Sequence, residues 1–376
     1  MAATNRRKKR RNRRIVKGKP KQRRKRTLRK IKKRPLRKKI RNRRKRIVRK
    51  KPKTIGYVIS SCDISGGVAV ICQHVNRLQA RGLRTVLISM DQARSTIDWF
   101  PRQNVPIITL DAASQRHFDV VVATHWSTAH PALQLSADRK VYFVQSIESR
   151  FYPEGSPEFE AALQTYTLPF IYMTEAHWIQ NWLLQNNGHQ SVYVPNGIEE
   201  ALFHPTEPIE LKSGRVRVLL EGPILNPLKG MAEAFRVVKD LDCEVWCVSS
   251  NGEPEPDWRC DRFFSHVPME HMKHIYSSCD ILLKLSQVEG FFGPPMEMMA
   301  CGGTAVVGNC TGHEEYIIDG YNALVVPLGN EDAAKESLNR LIHDSELRRQ
   351  LTQNGMATVQ NWRWDNTIDT LYRLFS

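Results

Sequence analysis

The chain from residue 54 onward alternates short apolar runs with amphipathic stretches. The pattern predicts a strand at 54–60, a glycine-containing turn at 61–67, a helix at 68–82 and a second strand at 83–89. This alternation is typical of a parallel sheet, because parallel neighbours need a crossover connection that is usually a helix. Further strand-like runs of the first series lie at 105–110, 118–126, 140–146, 170–176 and 191–195.

A polar stretch at 196–214, interrupted by Pro205 and Pro208, predicts a linker between two such series. Two doubly wound sheets in tandem place ligands in the cleft between them, at the carboxyl ends of the strands. The predicted domains are 54–200, 201–361, and a C-terminal helix at 362–376 that packs back towards the first domain. The second series comprises strands at 215–222, 243–250, 261–267, 281–286, 304–309 and 322–327, and a helix at 229–241.

Charge separates the first 53 residues from the remainder. They hold 32 of the 57 Lys and Arg residues and no Asp or Glu, so the rest has a formal charge of −13 although the whole chain is +19. Like charges repel and apolar residues are few, which predicts a disordered tail. We expect residues 6–53 to bind an anionic membrane surface or another polyanion, including nucleic acid. A solubilising tail without a unique partner is the alternative.

Cysteine usage and hydropathy bear on the compartment. The eight cysteines lie mostly in apolar runs and form no CxxC pair, which fits a reducing cytosol. No stretch approaches the roughly 20 apolar residues that cross a bilayer, and the basic start lacks the apolar part of a secretory signal. We expect no transmembrane segment, and a cytoplasmic location that includes peripheral attachment at the inner membrane face.

The candidate chemistry lies in residues 287–309. Pro294 and Pro295 predict the start of a helix, because proline in the first turn loses no hydrogen bond. Free backbone N–H groups at that helix end, beside Gly290 and Gly293, would suit an anion such as a diphosphate.

Two carboxylates accompany this predicted anion site. Glu289 precedes the turn and Glu297 lies in the first helical turns, so both can face one cleft. They would repel a phosphate unless they accept hydrogen bonds from neutral hydroxyls, such as those of a ribose or a hexose. A helix-capping pair favoured by the helix dipole is the alternative, and the spacing leaves both open.

Taken together, EGFFGPPMEMMACGGTAVV (289–307) and GHEEYIIDGYNALVVP (312–327) resemble the donor-binding segment of the family 4 glycosyltransferases. The similarity extends to 64–82 and 194–199, and covers nearly all of 54–376. It implies a GT-B fold, in which two Rossmann-like domains face a central cleft. It also implies retaining, metal-independent transfer from a nucleoside diphosphate sugar to a glycan, lipid-linked or polymer acceptor. The residues that match the family pattern are Glu289, Glu297, Ala300, Cys301, Gly302, Glu315, Asp319, Gly320 and Asn322.

The resemblance also implies roles for individual residues. Glu297 would hold the ribose hydroxyls and Glu289 the transferred sugar, while Lys229 would bind the diphosphate and His125 would lie near the sugar. From the residues alone, a strand-end histidine is more often structural and a glycine pair more often an ordinary tight turn. The implied catalytic residues are Glu289, His125 and Lys229, and the implied donor-binding residues are Gly66, Gly67, Lys229, Glu289, Gly290, Phe291, Phe292, Gly293 and Glu297. No cofactor and no metal is expected.

One position departs from the family. The usual pattern resembles G-R-L-x-x-x-K-G, whereas this chain has EGPILNPLKG at 221–230. Lys229 and Gly230 match, but Pro223 stands in place of the arginine that stabilises charge on the leaving group. Two alternatives therefore stay open: a catalytically inactive polyanion-binding or structural protein, and a nucleotide-sugar epimerase on the same fold.

Overall fold

The computed structural model describes residues 51–92, 96–211 and 214–376. This part of the chain forms two parallel sheets with helices packed on their faces, which confirms the prediction of two Rossmann-like domains. Apart from its last three residues, the predicted basic tail at 1–53 lies outside the described residues.

The first sheet has seven parallel strands in the order β3-β2-β1-β4-β5-β6-β7. Its central strands are buried on both faces, as expected where helices cover a parallel sheet. The strands are β1 Thr54–Ile59, β2 Arg84–Ser89, β3 Ile107–Thr109, β4 His117–Ala123, β5 Ser136–Val144, β6 Ile171–Thr174 and β7 Ser191–Tyr193, and the helices are α1 Gly66–Ala80, α2 Leu110–Ser114, α3 Trp126–Gln134, α4 Pro157–Thr165 and α5 His177–Asn187.

The second sheet has six parallel strands in the order β10-β9-β8-β11-β12-β13. The strands are β8 Arg217–Glu221, β9 Glu244–Ser249, β10 Arg262–Ser265, β11 Ile281–Lys284, β12 Thr304–Gly308 and β13 Leu324–Val326. The helices are α6 Met231–Val238, α7 Met269–Ser278, α8 Gly293–Ala300, α9 Glu331–His343 and α10 Ser345–Val359, and short 3-10 turns occupy Glu148–Phe151, Pro227–Lys229 and His313–Glu315.

Several boundaries differ from the sequence-based expectations for physical reasons. Helix α1 begins at Gly66, because the Ser65 hydroxyl accepts the Val68 N–H at 3.2 Å and caps it. Lys229 lies in a 3-10 turn before α6 and not in the predicted helix at 229–241. His125 is the N-cap of α3, two residues beyond the strand on which it was expected.

The last helix, α11 (Trp364–Phe375), packs against α1 of the first domain. Its Ile368, Leu371 and Phe375 side chains are buried in the same hydrophobic cluster as the strand residues of β1. The segment before it approaches the interdomain linker so closely that a Cβ on Gly197 would lie 2.4 Å from the Trp364 nitrogen. The chain therefore returns to the first domain after completing the second sheet.

Two further features concern membrane crossing and cysteine pairing. No helix in the described residues has both the length and the apolar character that a bilayer crossing requires. All eight cysteines lie in this part of the chain, and none of them is disulfide-bonded.

Candidate active site

A cavity of about 620 Å³ lies between the two sheets, at the carboxyl ends of their strands. We call it the central cavity. The Phe292 side chain does not line it, because it is fully buried in the core of the second domain. Every other site residue expected from the sequence lines this cavity, namely Gly66, Gly67, His125, Lys229, Glu289, Gly290, Phe291, Gly293 and Glu297.

Glu289 and Lys229 form an ion pair inside the central cavity. The Lys229 Nζ donates to both carboxylate oxygens of Glu289 at 2.9 Å. Burial raises the pKa of Glu289, but Lys229 and Lys284 outweigh burial and hold the pKa below its ordinary value. Glu289 is therefore ionised at neutral pH and can accept hydrogen bonds from ligand hydroxyls.

Glu297 has a different environment. Its Oε2 accepts the Tyr276 hydroxyl at 2.9 Å. Burial raises the pKa of Glu297 to about 7, and the hydrogen bond from Tyr276 only partly opposes this. Neither carboxylate caps α8, whose N-cap Phe292 has no side-chain hydrogen bond and whose first turn holds no acidic residue. The capping alternative is therefore wrong.

The first turn of α8 does not present the free backbone N–H groups that the sequence predicts. The helix does begin at the predicted place, with Pro294 and Pro295 in its first turn. However, the Gly293 N–H donates to the Phe291 carbonyl at 2.9 Å, and the two prolines that follow have no N–H. The Phe291 N–H is also engaged, by the carboxyl of Glu175. An anion here must therefore be met mainly by side-chain cations.

The glycines that line the cavity differ in what surrounds them. A Cβ on Gly67 would lie 3.2 Å from the Gln145 side chain of the same domain, and a Cβ on Gly66 would meet nothing within 4 Å. A Cβ on Gly290 would instead lie 1.7 Å from the Gln145 carbonyl oxygen. Gly290 thus allows the two domains to approach each other closely, whereas the contact of Gly66 and Gly67 with the donor stays a prediction.

His125 and Glu148 face each other on the first-domain side. The His125 Nε2 lies 3.8 Å from Glu148 Oε1, while Glu148 Oε2 accepts the Trp126 N–H at 2.6 Å. Burial lowers the pKa of His125 to about 4, and burial raises the pKa of Glu148 to about 8. Both side chains are therefore mainly uncharged at neutral pH, so the short distance does not represent a charged pair.

The structure adds Glu175, which the sequence did not single out. It lies just after β6, is buried, and accepts the Asn196 amide at 3.0 Å. Burial raises the pKa of Glu175 to about 8, against the hydrogen bonds from Asn196 and Phe291. Glu175 thus joins the first domain to the loop before α8. A carboxylate directly after an apolar strand was the available signal.

Lys284 is a second missed residue. It ends β11, lines the central cavity and is only 3% exposed. Its Nζ donates to the carbonyl oxygen and to Oε2 of Glu221, each at 2.7 Å. Burial lowers the pKa of Lys284, but Glu221 and Glu289 outweigh burial and keep the ammonium charged. A lysine inside the apolar run ILLKLS was the signal in the sequence.

Comparison with known proteins places these observations in a family context. Residues 262–358 match the family model described as Glycosyl transferases group 1. The matched segment includes Lys284, Glu289 and Glu297 and the whole of α8.

Among curated proteins, the O-antigen biosynthesis protein RfbC of Myxococcus xanthus is 26% identical over 267 residues, which cover 68% of this chain and 20% of RfbC. The O-antigen chain mannosyltransferase B of Escherichia coli is 29% identical over 105 residues, or 28% of this chain and 27% of that protein. The chain spans between about a fifth and about half of the length of the first curated relatives it matches.

Among solved structures, HepE of Anabaena in complex with UDP-glucose superimposes with a TM-score of 0.72 at 15% identity, over 86% of this chain and 99% of HepE. A sucrose-phosphate synthase from Thermosynechococcus elongatus gives the same TM-score and identity over 86% of this chain and 98% of its own. These likenesses define the fold class, which is GT-B. The protein is thus a GT-B chain that contains a segment of the glycosyl transferases group 1 type.

Proposed function

We propose that the protein is a glycosyltransferase that moves a sugar from a nucleoside diphosphate sugar to a hydroxyl of a glycan, lipid-linked or polymer acceptor. One observation carries the proposal. Glu289, Glu297 and Lys229, which come from the segments that resemble the family, line a single cavity between two Rossmann-like domains. The O-antigen names of the relatives and the UDP-glucose bound by HepE support this substrate class.

In this proposal each charged group meets a different part of the donor. Glu297 binds the ribose hydroxyls and the ionised Glu289 binds hydroxyls of the transferred sugar. Lys229 binds the diphosphate. His125, which is uncharged at neutral pH, forms a hydrogen bond with the sugar from the first-domain side.

The proposed chemistry retains the configuration at the anomeric carbon. The acceptor oxygen bonds to that carbon on the face from which the diphosphate departs, and the carbon–oxygen bond to the diphosphate breaks. The acceptor proton passes to the departing phosphate oxygen, so no protein nucleophile is required.

We further propose that transfer is independent of metal, with positive charge at the diphosphate supplied by side chains. Undiminished activity in excess EDTA is the expected result.

A nucleotide panel tests the donor. Thermal shift of the full chain with nucleoside diphosphates and nucleotide sugars should show stabilisation by at least one of them. Stabilisation by none favours the inactive alternative, which the proline at position 223 supports. Release of an isomerised nucleotide sugar without acceptor favours the epimerase alternative.

Two substitutions test the site itself. Glu297→Ala should abolish donor binding, because the ribose loses its hydrogen-bond acceptor. Glu289→Ala should reduce turnover more than binding. Calorimetric titration and transfer assays measure the two effects, and full activity in both variants would refute the site.

We also propose that residues 6–53 hold the enzyme at an anionic membrane surface or at another polyanion. The 32 basic residues of 1–53 support this, since each one near an anionic surface contributes about 1 kcal/mol at low salt. Sedimentation with vesicles containing anionic lipid should retain the full chain and release a variant lacking 1–53. Equal binding of both forms to the vesicles would contradict the proposal. Preferential binding of nucleic acid would identify nucleic acid as the partner of residues 6–53.

A further inference from the structure

The central cavity contains a second lysine beside the position where the family arginine is missing. Pro223 lines the cavity but has no charge to offer a phosphate. Lys284 reaches the same turn from β11, because its Nζ bonds both the carbonyl and the carboxylate of Glu221, two residues before Pro223. The cation therefore lies next to the turn that usually carries the arginine, although it comes from a different strand.

The geometry of Gly222 brings the two lysines together. Its φ is +150°, and a Cβ there would lie 3.4 Å from the Lys229 Cβ and 3.5 Å from the Lys284 Nζ. The two lysines thus flank one residue, on the same side of the cavity as Glu289. The positive φ favours glycine at this position, and a Cβ there would be in van der Waals contact with both lysines.

The hydrogen-bonding capacity of Lys284 is not exhausted by Glu221. An ammonium group has three protons, and two of them go to Glu221. Within the described part of the chain, the structure gives the third proton no hydrogen-bond acceptor. The first three residues of α8 offer a bound diphosphate no free backbone N–H, because that of Gly293 bonds the Phe291 carbonyl and Pro294 and Pro295 have none.

We propose that Lys284 acts with Lys229 as the pair of diphosphate-binding cations, and so replaces the arginine that Pro223 displaces. The inference rests on the proposed function, because it names a further contact within the same donor site. Glu221 holds the Lys284 ammonium in place and balances part of its charge.

The test uses a variant that removes both partners of the buried pair. Lys284→Gln alone would leave the partly buried Glu221 without its partner and could destabilise the chain, whereas Glu221→Gln with Lys284→Gln removes both charges. Calorimetric titration of the full chain with UDP, UMP, GDP and GMP compares diphosphate with monophosphate binding. We expect the double variant to lose about tenfold or more in diphosphate affinity, since hydrogen bonds to charged groups are among the strong ones. Its monophosphate affinity should stay nearly unchanged.

Equal diphosphate affinity in the wild type and a folded double variant would overturn the inference and leave the proposed function intact. Absence of any nucleotide binding in the wild type would instead remove the proposed function, and this inference with it. Adding Pro223→Arg to the double variant should recover diphosphate affinity, because it restores a cation to the same turn. Continued weak binding in that triple variant would contradict the replacement of one cation by the other.

Discussion

Four ionisable side chains of the central cavity have unusual protonation equilibria. Burial raises the pKa of Glu148 and Glu175 to about 8 and that of Glu297 to about 7, and burial lowers the pKa of His125 to about 4. These carboxyl groups hold protons at neutral pH that the unfolded chain has lost. The cavity is thus less negative than the count of its acidic residues suggests.

The pH dependence of stability follows from these shifts. A carboxyl whose folded pKa is raised from 4.5 to about 8 lowers stability as pH rises across that window. His125, whose folded pKa is lowered to about 4, makes the free energy of unfolding rise as pH increases from about 4 to its ordinary pKa of 6.5. Its contribution does not change further above that pH. Between pH 6.5 and 8 we therefore expect these cavity carboxyls to make the free energy of unfolding fall.

Glu148→Gln isolates the contribution of Glu148 to the pH dependence of stability. The glutamine keeps an oxygen for the Trp126 N–H but cannot ionise. We expect its loss of stability between pH 6.5 and 8 to be smaller than in the wild type by on the order of 1 kcal/mol. Urea unfolding at several pH values measures this, with the exposed Glu336→Gln as control. Parallel pH profiles for wild type and Glu148→Gln would show that Glu148 does not titrate as described.

At the scale of elements, α11 contributes to a domain distant from it in sequence. Its apolar face completes the core around β1 and α1, and the Thr367 hydroxyl bonds the Pro195 carbonyl. Its polar face is exposed, as the 3.6-residue periodicity of 362–375 predicts. The helix therefore stabilises the first domain and fixes the linker beside it.

Leu371→Ala tests this packing. Leu371 is fully buried, and truncating such a leucine costs about 2–5 kcal/mol through lost burial and a residual cavity. Asn366→Ala, on the exposed face of α11, should stay within about 0.5 kcal/mol of the wild type. Denaturant unfolding monitored by tryptophan fluorescence compares the two variants. A small effect of Leu371→Ala would mean that α11 does not support the core in solution.

At the scale of the whole molecule, a set of polar contacts joins the two domains around the loop before α8. The Trp178 Nε1 donates to the Gly290 carbonyl at 2.8 Å. Glu315 accepts the His177 N–H at 2.5 Å and the Tyr193 hydroxyl at 2.7 Å. A motif residue of the second domain thus binds the first domain, so the domain arrangement and the cavity wall depend on the same residues.

Gly290→Ala tests this dependence. The new Cβ would lie 1.7 Å from the Gln145 carbonyl, so the loop and the first domain must separate. Overpacking of this kind costs about 1–3 kcal/mol, which corresponds to roughly 5- to 150-fold weaker nucleotide binding if only the close arrangement binds. Small-angle scattering should show a larger radius of gyration, whereas Gly66→Ala, with open space around its Cβ, should leave the scattering unchanged. Identical scattering from Gly290→Ala would rule out this role.

The sequence by itself determined the architecture. Apolar runs bounded by glycine and proline identified the strands of both parallel sheets, since burial on both faces leaves a continuous apolar signal. The two prolines located the start of α8, and the resemblance to the family 4 glycosyltransferases implied nine residues that do line the cavity. These features are local, or they repeat with the period of a helix or strand, so a linear pattern contains them.

Only the tertiary structure decided which groups face one another. Three contacts depend on strands that lie far apart in the chain. Gln145 meets Gly290, Glu175 meets the Phe291 N–H, and Lys284 reaches the turn before Pro223. The same holds for the Gly293 N–H at the start of α8, which looked free in the sequence and bonds the Phe291 carbonyl. Hydrogen-bond partners and desolvation depend on distances in space, and periodicity does not encode them.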